Sequence, residues 1–254
     1  MKARGFTLLE LVIVMVLIGI SVAFGSRFIA QMADSYMGTA DRAQALAGAR
    51  FSLERLRREL AVAYGPSVYI SDSNRCLSFV PALAAGTYRR SAKARKAIFM
   101  VPLSLQGAEI KNANMAIRAD SGEAAWQHYP SSLSADVQKL LDQTEAPASL
   151  TFEQALGSDA TGFRHNGLGN GNRRRYTLIK DEQVRFCTEN GSLYRQVNSG
   201  SGWSDKVLML TGLADDQVFL NYDHATQLLT MEFVLDTRDG ELVLPGQLQV
   251  TYAP

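Results

Sequence analysis

The run from Phe6 to Gly25 holds twenty residues and one ionisable side chain, Glu10. Nothing else in the chain restricts its fold as much. About 20 apolar residues are enough to cross a bilayer as a helix, and the next charge, Arg27, lies just past the run. Ala23-Phe24-Gly25 loosely matches the small-x-small pattern of a removed secretory signal. The chain beyond it keeps helical character and offers no clean break, so composition favours a retained membrane helix. Lys2 and Arg4 precede the run, and the positive-inside rule then leaves the N-terminus in the cytoplasm. The remainder would lie outside, in a periplasm if the cell is Gram-negative.

Glu10 is the sharper signal, because a carboxylate in hydrocarbon costs about 3 kcal/mol on insertion scales. It sits about one turn inside and could reach back to the headgroups. The alternative is a cationic partner in the membrane plane, best supplied by an α-amino group created by cutting before Phe6.

The hexapeptide Gly5-Phe6-Thr7-Leu8-Leu9-Glu10, with its basic leader and following apolar helix, resembles the prepilin-type processing site of type IV pilins and type II secretion pseudopilins. The resemblance implies a leader of residues 1–5 and cleavage between Gly5 and Phe6 by a prepilin peptidase. It implies N-methylation of Phe6, and pairing of Glu10 with the N-terminus of a neighbouring subunit. It covers about a tenth of the chain.

Helical signal continues past the bilayer. Leu46, Leu53, Leu56 and Leu60, with Ala49 and Ala63, form one apolar stripe, and Arg50, Glu54, Arg55, Arg57, Arg58 and Glu59 cover most of the rest. Gly65-Pro66 stops the helix. The spacing predicts a helix over 6–64, with about 6–26 in the membrane and bends allowed at Gly25 and Gly38. The stripe is expected to pack on the chain's own sheet. The stretch from Ala49 to Ile70 also resembles the helix-to-sheet junction of larger minor pilins and J-type pseudopilins.

Residues 65–254 are long enough for one good core. Short strands are expected at Val68–Ile70 and Leu77–Val80 around Asp72, Ser73 and Asn74, and another at Ile98–Leu105. Ser134–Leu141 reads as a short helix capped by Ser134, and Gly157–Asn172 as a loop. Arg175–Thr188 and Ser192–Val197 flank Asn190-Gly191, a strong hairpin signal because both residues accept positive φ. Val218–Tyr222, Leu228–Leu235 and Leu242–Tyr252 read as further strands, with a turn at Asp239-Gly240. The expected fold class is α+β: a long N-terminal helix, half transmembrane and half amphipathic, on a mostly antiparallel sheet.

No pattern of catalytic residues stands out. His128, His165 and His224 are isolated, with no HExxH, GxSxG or Ser-x-x-Lys. Gly167-x-Gly169-x-Gly171 lacks the strand, helix and Lys-Ser/Thr of a phosphate loop. Neither an enzyme nor a cofactor is expected. Charge is balanced, 26 Lys+Arg against 25 Asp+Glu, so no global field selects a nucleic acid. Two basic clusters, Arg89 to Lys96 and Arg173-Arg174-Arg175, could meet phosphates, but few aromatics are interleaved for stacking, which argues against nucleic acid as a partner. Asp236, Asp239 and Glu241 could hold Ca²⁺ but match no known loop; a charged turn is the simpler reading, and no metal site is assigned. Cys76 and Cys187 are the only cysteines and read either as a disulfide of an oxidising compartment or as two buried thiols. The partners implied by the resemblance are other minor and major pilin subunits, the prepilin peptidase and inner-membrane lipid.

Overall fold

A computed structural model describes residues 7–88, 96–100, 113–116, 149–151, 175–180 and 182–250. One helix, α1, runs from Leu8 to Leu60, about 80 Å at 1.5 Å per residue. Thr7 caps its start: the hydroxyl accepts the Glu10 backbone N–H at 3.3 Å. Arg57 and Arg58 lie in the last turn, where cations favour the helix dipole.

The helix stops four residues before the expected Tyr64. Its next backbone groups are taken by a neighbouring segment instead. Tyr64 N–H donates to Val80 C=O at 2.8 Å, and Ala82 N–H donates to Val62 C=O at 2.7 Å. A short 3-10 turn, Gly65–Ser67, follows. The helical run continues unbroken through Gly25 and Gly38.

Among the described residues thirteen strands follow: β1 (Tyr69–Ser71), β2 (Cys76–Phe79), β3 (Ala82–Tyr88), β4 (Lys96–Met100), β5 (Ala113–Ala116), β6 (Ser149–Thr151), β7 (Arg175–Lys180), β8 (Gln183–Glu189), β9 (Ser192–Asn198), β10 (Val207–Thr211), β11 (Phe219–Asp223), β12 (Leu228–Thr237) and β13 (Gly240–Gln249). They form three sheets, ordered β1-β2-β8-β9-β10, β11-β12-β13 and β5-β7-β3-β4-β6. Every ladder among them is antiparallel. The molecule is therefore α+β, a long N-terminal helix with antiparallel sheets.

The expected strand Arg175–Thr188 is two strands in different sheets. The division falls beside Pro81, which has no N–H for a ladder; Lys180 N–H instead donates to the Pro81 carbonyl at 2.9 Å. Neither β3 nor β10 is assigned by the sequence reading. Ala82-Leu83-Ala84-Ala85-Gly86 has low strand preference, so β3 forms through its partner β7. The hairpin at Asn190-Gly191 forms with φ of 50° and 70°, the double positive φ of a tight turn. A Cβ on Gly191 would stand 2.9 Å from the Leu213 carbonyl. β4 covers the start of the expected Ile98–Leu105 strand; the rest of it, the Ser134–Leu141 helix and the Gly157–Asn172 loop lie outside the described residues.

The core lies between one face of α1 and the sheets. Ala49, Leu56 and Leu60 are fully buried with Phe79, Phe186, Phe219 and Phe233. Leu53 packs at the margin. Ser52 is buried on the same face, and its hydroxyl donates to the Met209 carbonyl at 2.8 Å. The ladder between β9 and β10 shifts register between Leu208 and Leu210, which leaves that carbonyl to the helix.

Cys76 and Cys187 stand directly opposite each other across β2 and β8 and form a disulfide, 111 residues apart in sequence. It closes the β2–β8 ladder at the end away from Phe79 and Val184, where the chain leaves for β3 and returns through β7. In the chain-entropy account a loop of this length stabilises by about 4–5 kcal/mol. The double variant Cys76→Ser/Cys187→Ser should lose about 2–5 kcal/mol, read as a lower urea midpoint of the detergent-solubilised chain. Wild type under reductant should approach the same value, and an unchanged midpoint would show the bond to be idle.

Candidate functional site

Among the described residues the first half of α1 packs against no other element. From Leu8 to Met37 its large apolar side chains are exposed, including Leu11, Ile13, Leu17, Phe24 and Phe28. Among the described residues this is the one helix long and apolar enough to cross a membrane. Glu10 lies in its first turn and is exposed. Gly5 and Phe6 lie outside the described residues. Thr7 was not singled out by the sequence reading, although Thr7-x-x-Glu10 is a capping-box pattern that signals a helix start. It places Glu10 on the turn where backbone N–H groups are free and the helix dipole is positive.

The helix first meets the rest of the protein at the turn between β12 and β13. The Arg238 guanidinium holds Asp34 at 2.8 Å, and the Arg238 backbone N–H donates to Asp41 at 2.9 Å. The Asp239 carboxylate lies against Gly38, where an added Cβ would come within 2.4 Å of it. Gly38 thus accommodates the close approach of the Asp239 side chain, where its sequence context had allowed a bend. No sequence signal links Arg238 to Asp34, because a contact 204 residues apart has no local pattern.

The other candidates gather no chemistry. Asp236 and Glu241 oppose each other across the β12–β13 ladder. Among the described residues no group of three or more His, Cys, Asp or Glu is arranged to hold a metal. A crevice of about 350 Å³ between α1 and β10 is lined by Asp41, Ala45, Gly48, Leu210, Gly212 and Asp236, without a nucleophile and base pair. Arg89 to Arg95, Arg173, Arg174, His128, His165 and the Gly167–Gly171 segment lie outside the described residues. Lys96 opens β4 and Arg175 opens β7.

At the far end of the head, His224 meets the Tyr222 ring edge-on, 4.7 Å between centroids. The Tyr222 hydroxyl donates to the Gly65 carbonyl at 3.2 Å. Burial, with Asp223 adding to it, pushes the Tyr222 phenol up to about 12. Burial also lowers the His224 imidazole, against the opposing pull of Asp223. The Thr226 hydroxyl and the Ala225 N–H hold the Asp223 carboxyl below the usual carboxylate range.

Compared with known proteins, residues 1–26 match the family model of the prokaryotic N-terminal methylation motif. No curated protein and no solved structure matches the chain. The matched segment contains Gly5, Phe6 and Glu10 and supports a type IV pilin-like family, pilin or pseudopilin. Such a motif implies a structural subunit, processed by a prepilin peptidase and assembled with other pilin subunits. Together with the apolar helix it suggests an inner-membrane anchor.

Two outcomes follow from this geometry. Arg238→Ala should cost no more than about 1 kcal/mol, since both partners of its ion pair are exposed. It should nevertheless raise amide exchange selectively over 34–41, and unchanged protection there would show the turn to be no clasp. His224 binds a proton less readily when folded, so its neutral form favours the native state. That advantage is complete above the unfolded value near 6.5, declines below it and is lost as pH falls through the lowered folded value. The urea midpoint should drop between pH 7.5 and 5, and by less in His224→Gln.

Proposed function

We propose that this chain is a minor subunit of a type IV pilus machine, assembled through α1 into the priming or tip complex. The observation that carries the proposal is the methylation motif on a helix whose first half has no cover in its own fold. On this reading residues 1–5 are a leader, 6–64 the N-terminal helical segment with about 6–26 in the membrane, and 65–254 the periplasmic domain. The peptidase cuts between Gly5 and Phe6 and methylates the new amine. Glu10 then pairs with the Phe6 amine of a neighbouring subunit, which turns an expensive buried charge into a register device.

The size of the head favours a place at the tip, where no subunit must stack above it. Among named components the chain most resembles MshO, a minor pilin-like protein of mannose-sensitive haemagglutinin pilus biogenesis. A J-type pseudopilin of type II secretion and a PilW-like minor pilin are the competing assignments. Complementation of pilus-defective and secretion-defective hosts separates them: rescue of secretion alone would overturn the pilus reading.

Glu10→Val tests the pairing mechanism. The variant should insert, fold and be processed as wild type does, yet fail to enter the assembled complex in co-purification from membranes. Normal incorporation would sink it.

A further inference from the structure

The sheet β1-β2-β8-β9-β10 has a face that the core does not use. Successive side chains of a strand point to opposite faces. Leu77, Phe79, Val184, Phe186 and Leu193 are buried in the core with Leu56 and Leu60 of α1. The residues between them point the other way. Tyr69, Ser78, Arg185 and Gln196 stand directly opposite one another across β1, β2, β8 and β9. They form one row on the face turned away from α1.

Arg185 is held in that row by uncharged groups alone. Its guanidinium lies 3.9 Å from the centre of the Trp203 ring. Nε and Nη2 both donate to Oε1 of Gln196, at 3.1 and 2.9 Å. Gln196 is itself buried, and its Nε2 donates to the Ser204 carbonyl at 2.7 Å. The Ser204 hydroxyl accepts the Val197 N–H at 3.0 Å, so the loop that carries Trp203 is tied to the same strand. Other cations of this sheet and its edges are neutralised: Arg75 pairs with Asp72, Arg195 with Glu59 and Lys206 with Glu189. Among the described residues no carboxylate pairs with Arg185. Burial lowers its pKa, with no acid opposing the shift.

We propose that Arg185 anchors a binding site for an acidic sugar, a hexuronate, on this outer face of the sheet. The bonds to Gln196 use the Nε–H and one N–H of Nη2. The end-on pair, Nη1 and the second N–H of Nη2, is left side by side, and that fork matches the two oxygens of a carboxylate. Trp203 and Gln196 fix its direction before a ligand arrives, so little side-chain freedom is lost on binding. One uncompensated positive charge suits a monoanion. Ser78 beside it and Tyr69 at the end of the row carry hydroxyls with no hydrogen-bond partner among the described residues, and these suit a hydroxyl-rich carrier. A purely structural Arg would gain from an acid at its open end, because a partly desolvated charge without a counterion is costly. The site lies on the head and is separate from any assembly role of α1.

The test uses the purified full chain in an uncharged polyoxyethylene detergent, with the native disulfide kept oxidised. Binding is read by saturation-transfer NMR with D-glucuronate as the probe, and with D-glucose and N-acetylglutamate as comparisons. D-glucuronate should receive saturation, and D-glucose several-fold less. Arg185→Gln should weaken glucuronate binding about tenfold or more, through loss of a charge-assisted bidentate contact. Arg185→Lys keeps the charge without the fork and should fall between the two. Ser78→Ala leaves the Arg185–Trp203 stack in place and should weaken binding several-fold, with the far-ultraviolet circular dichroism unchanged. Equal transfer to D-glucose, no transfer to D-glucuronate, or full binding by Arg185→Gln or by Ser78→Ala overturns the proposal. Equal or stronger transfer to N-acetylglutamate overturns the sugar in favour of a protein carboxylate. None of these outcomes depends on how the chain assembles.

Discussion

One helix face holds this molecule together. Leu56 and Leu60 are fully buried against the sheets, and each contributes about 1.5–3 kcal/mol by removal from water. The Arg238–Asp34 pair at the other end of the contact is exposed on both sides and contributes at most about 1 kcal/mol. Packing over Ala49–Leu60 therefore attaches the head, while the Arg238 turn sets where the helix leaves it. A charged clasp suits that second task because its geometry is directional. The backbone N–H and guanidinium of one residue reach carboxylates seven positions apart on the helix.

The same division of labour appears in the sheets. β2 and β8 are adjacent in space but separated by more than a hundred residues, and the ladder resumes beyond them as β3 and β7. The chain leaves and returns through this neck. A long excursion of this kind raises the entropy cost of bringing its ends together. The Cys76–Cys187 bond lies on the same ladder, three pairs from the exit, and a cross-link there encloses the whole excursion and removes part of that cost.

Local patterns were the legible part of the sequence. The Asn190-Gly191 hairpin, the Asp239-Gly240 turn, β1, β2, β9, β11, β12 and β13 follow from turn chemistry and alternation. The helix stripe follows from a 3.6-residue period, apart from Ser52, whose polarity hid its burial until a freed carbonyl on β10 gave it a partner. What the sequence concealed was set by contacts at long range. The early end of α1 depends on backbone bonds to residues 80–82. The break between β7 and β8 lies beside Pro81, a hundred residues away. Gly38 carries no mark of the Asp239 carboxylate that lies against it. For the site, the segment that matches the N-terminal methylation motif was legible because the motif is linear. Thr7 was legible too, through its spacing from Glu10.

These constraints divide α1 into parts with different surroundings. The lower half exposes large apolar side chains, with the single carboxylate of Glu10 in its first turn. Above Asp34 one face is claimed by the head through Ala49, Ser52, Leu56 and Leu60. The opposite face carries no charge from Phe28 to Ala49 and buries nothing in its own fold. A helix that only carried a head through water would gain from charged residues on that side, as it does lower on the sequence at Arg55, Arg57 and Arg58. Their absence over five turns is a pattern that local helix stability does not require, because Lys, Glu and Arg are as good helix formers as most apolar residues.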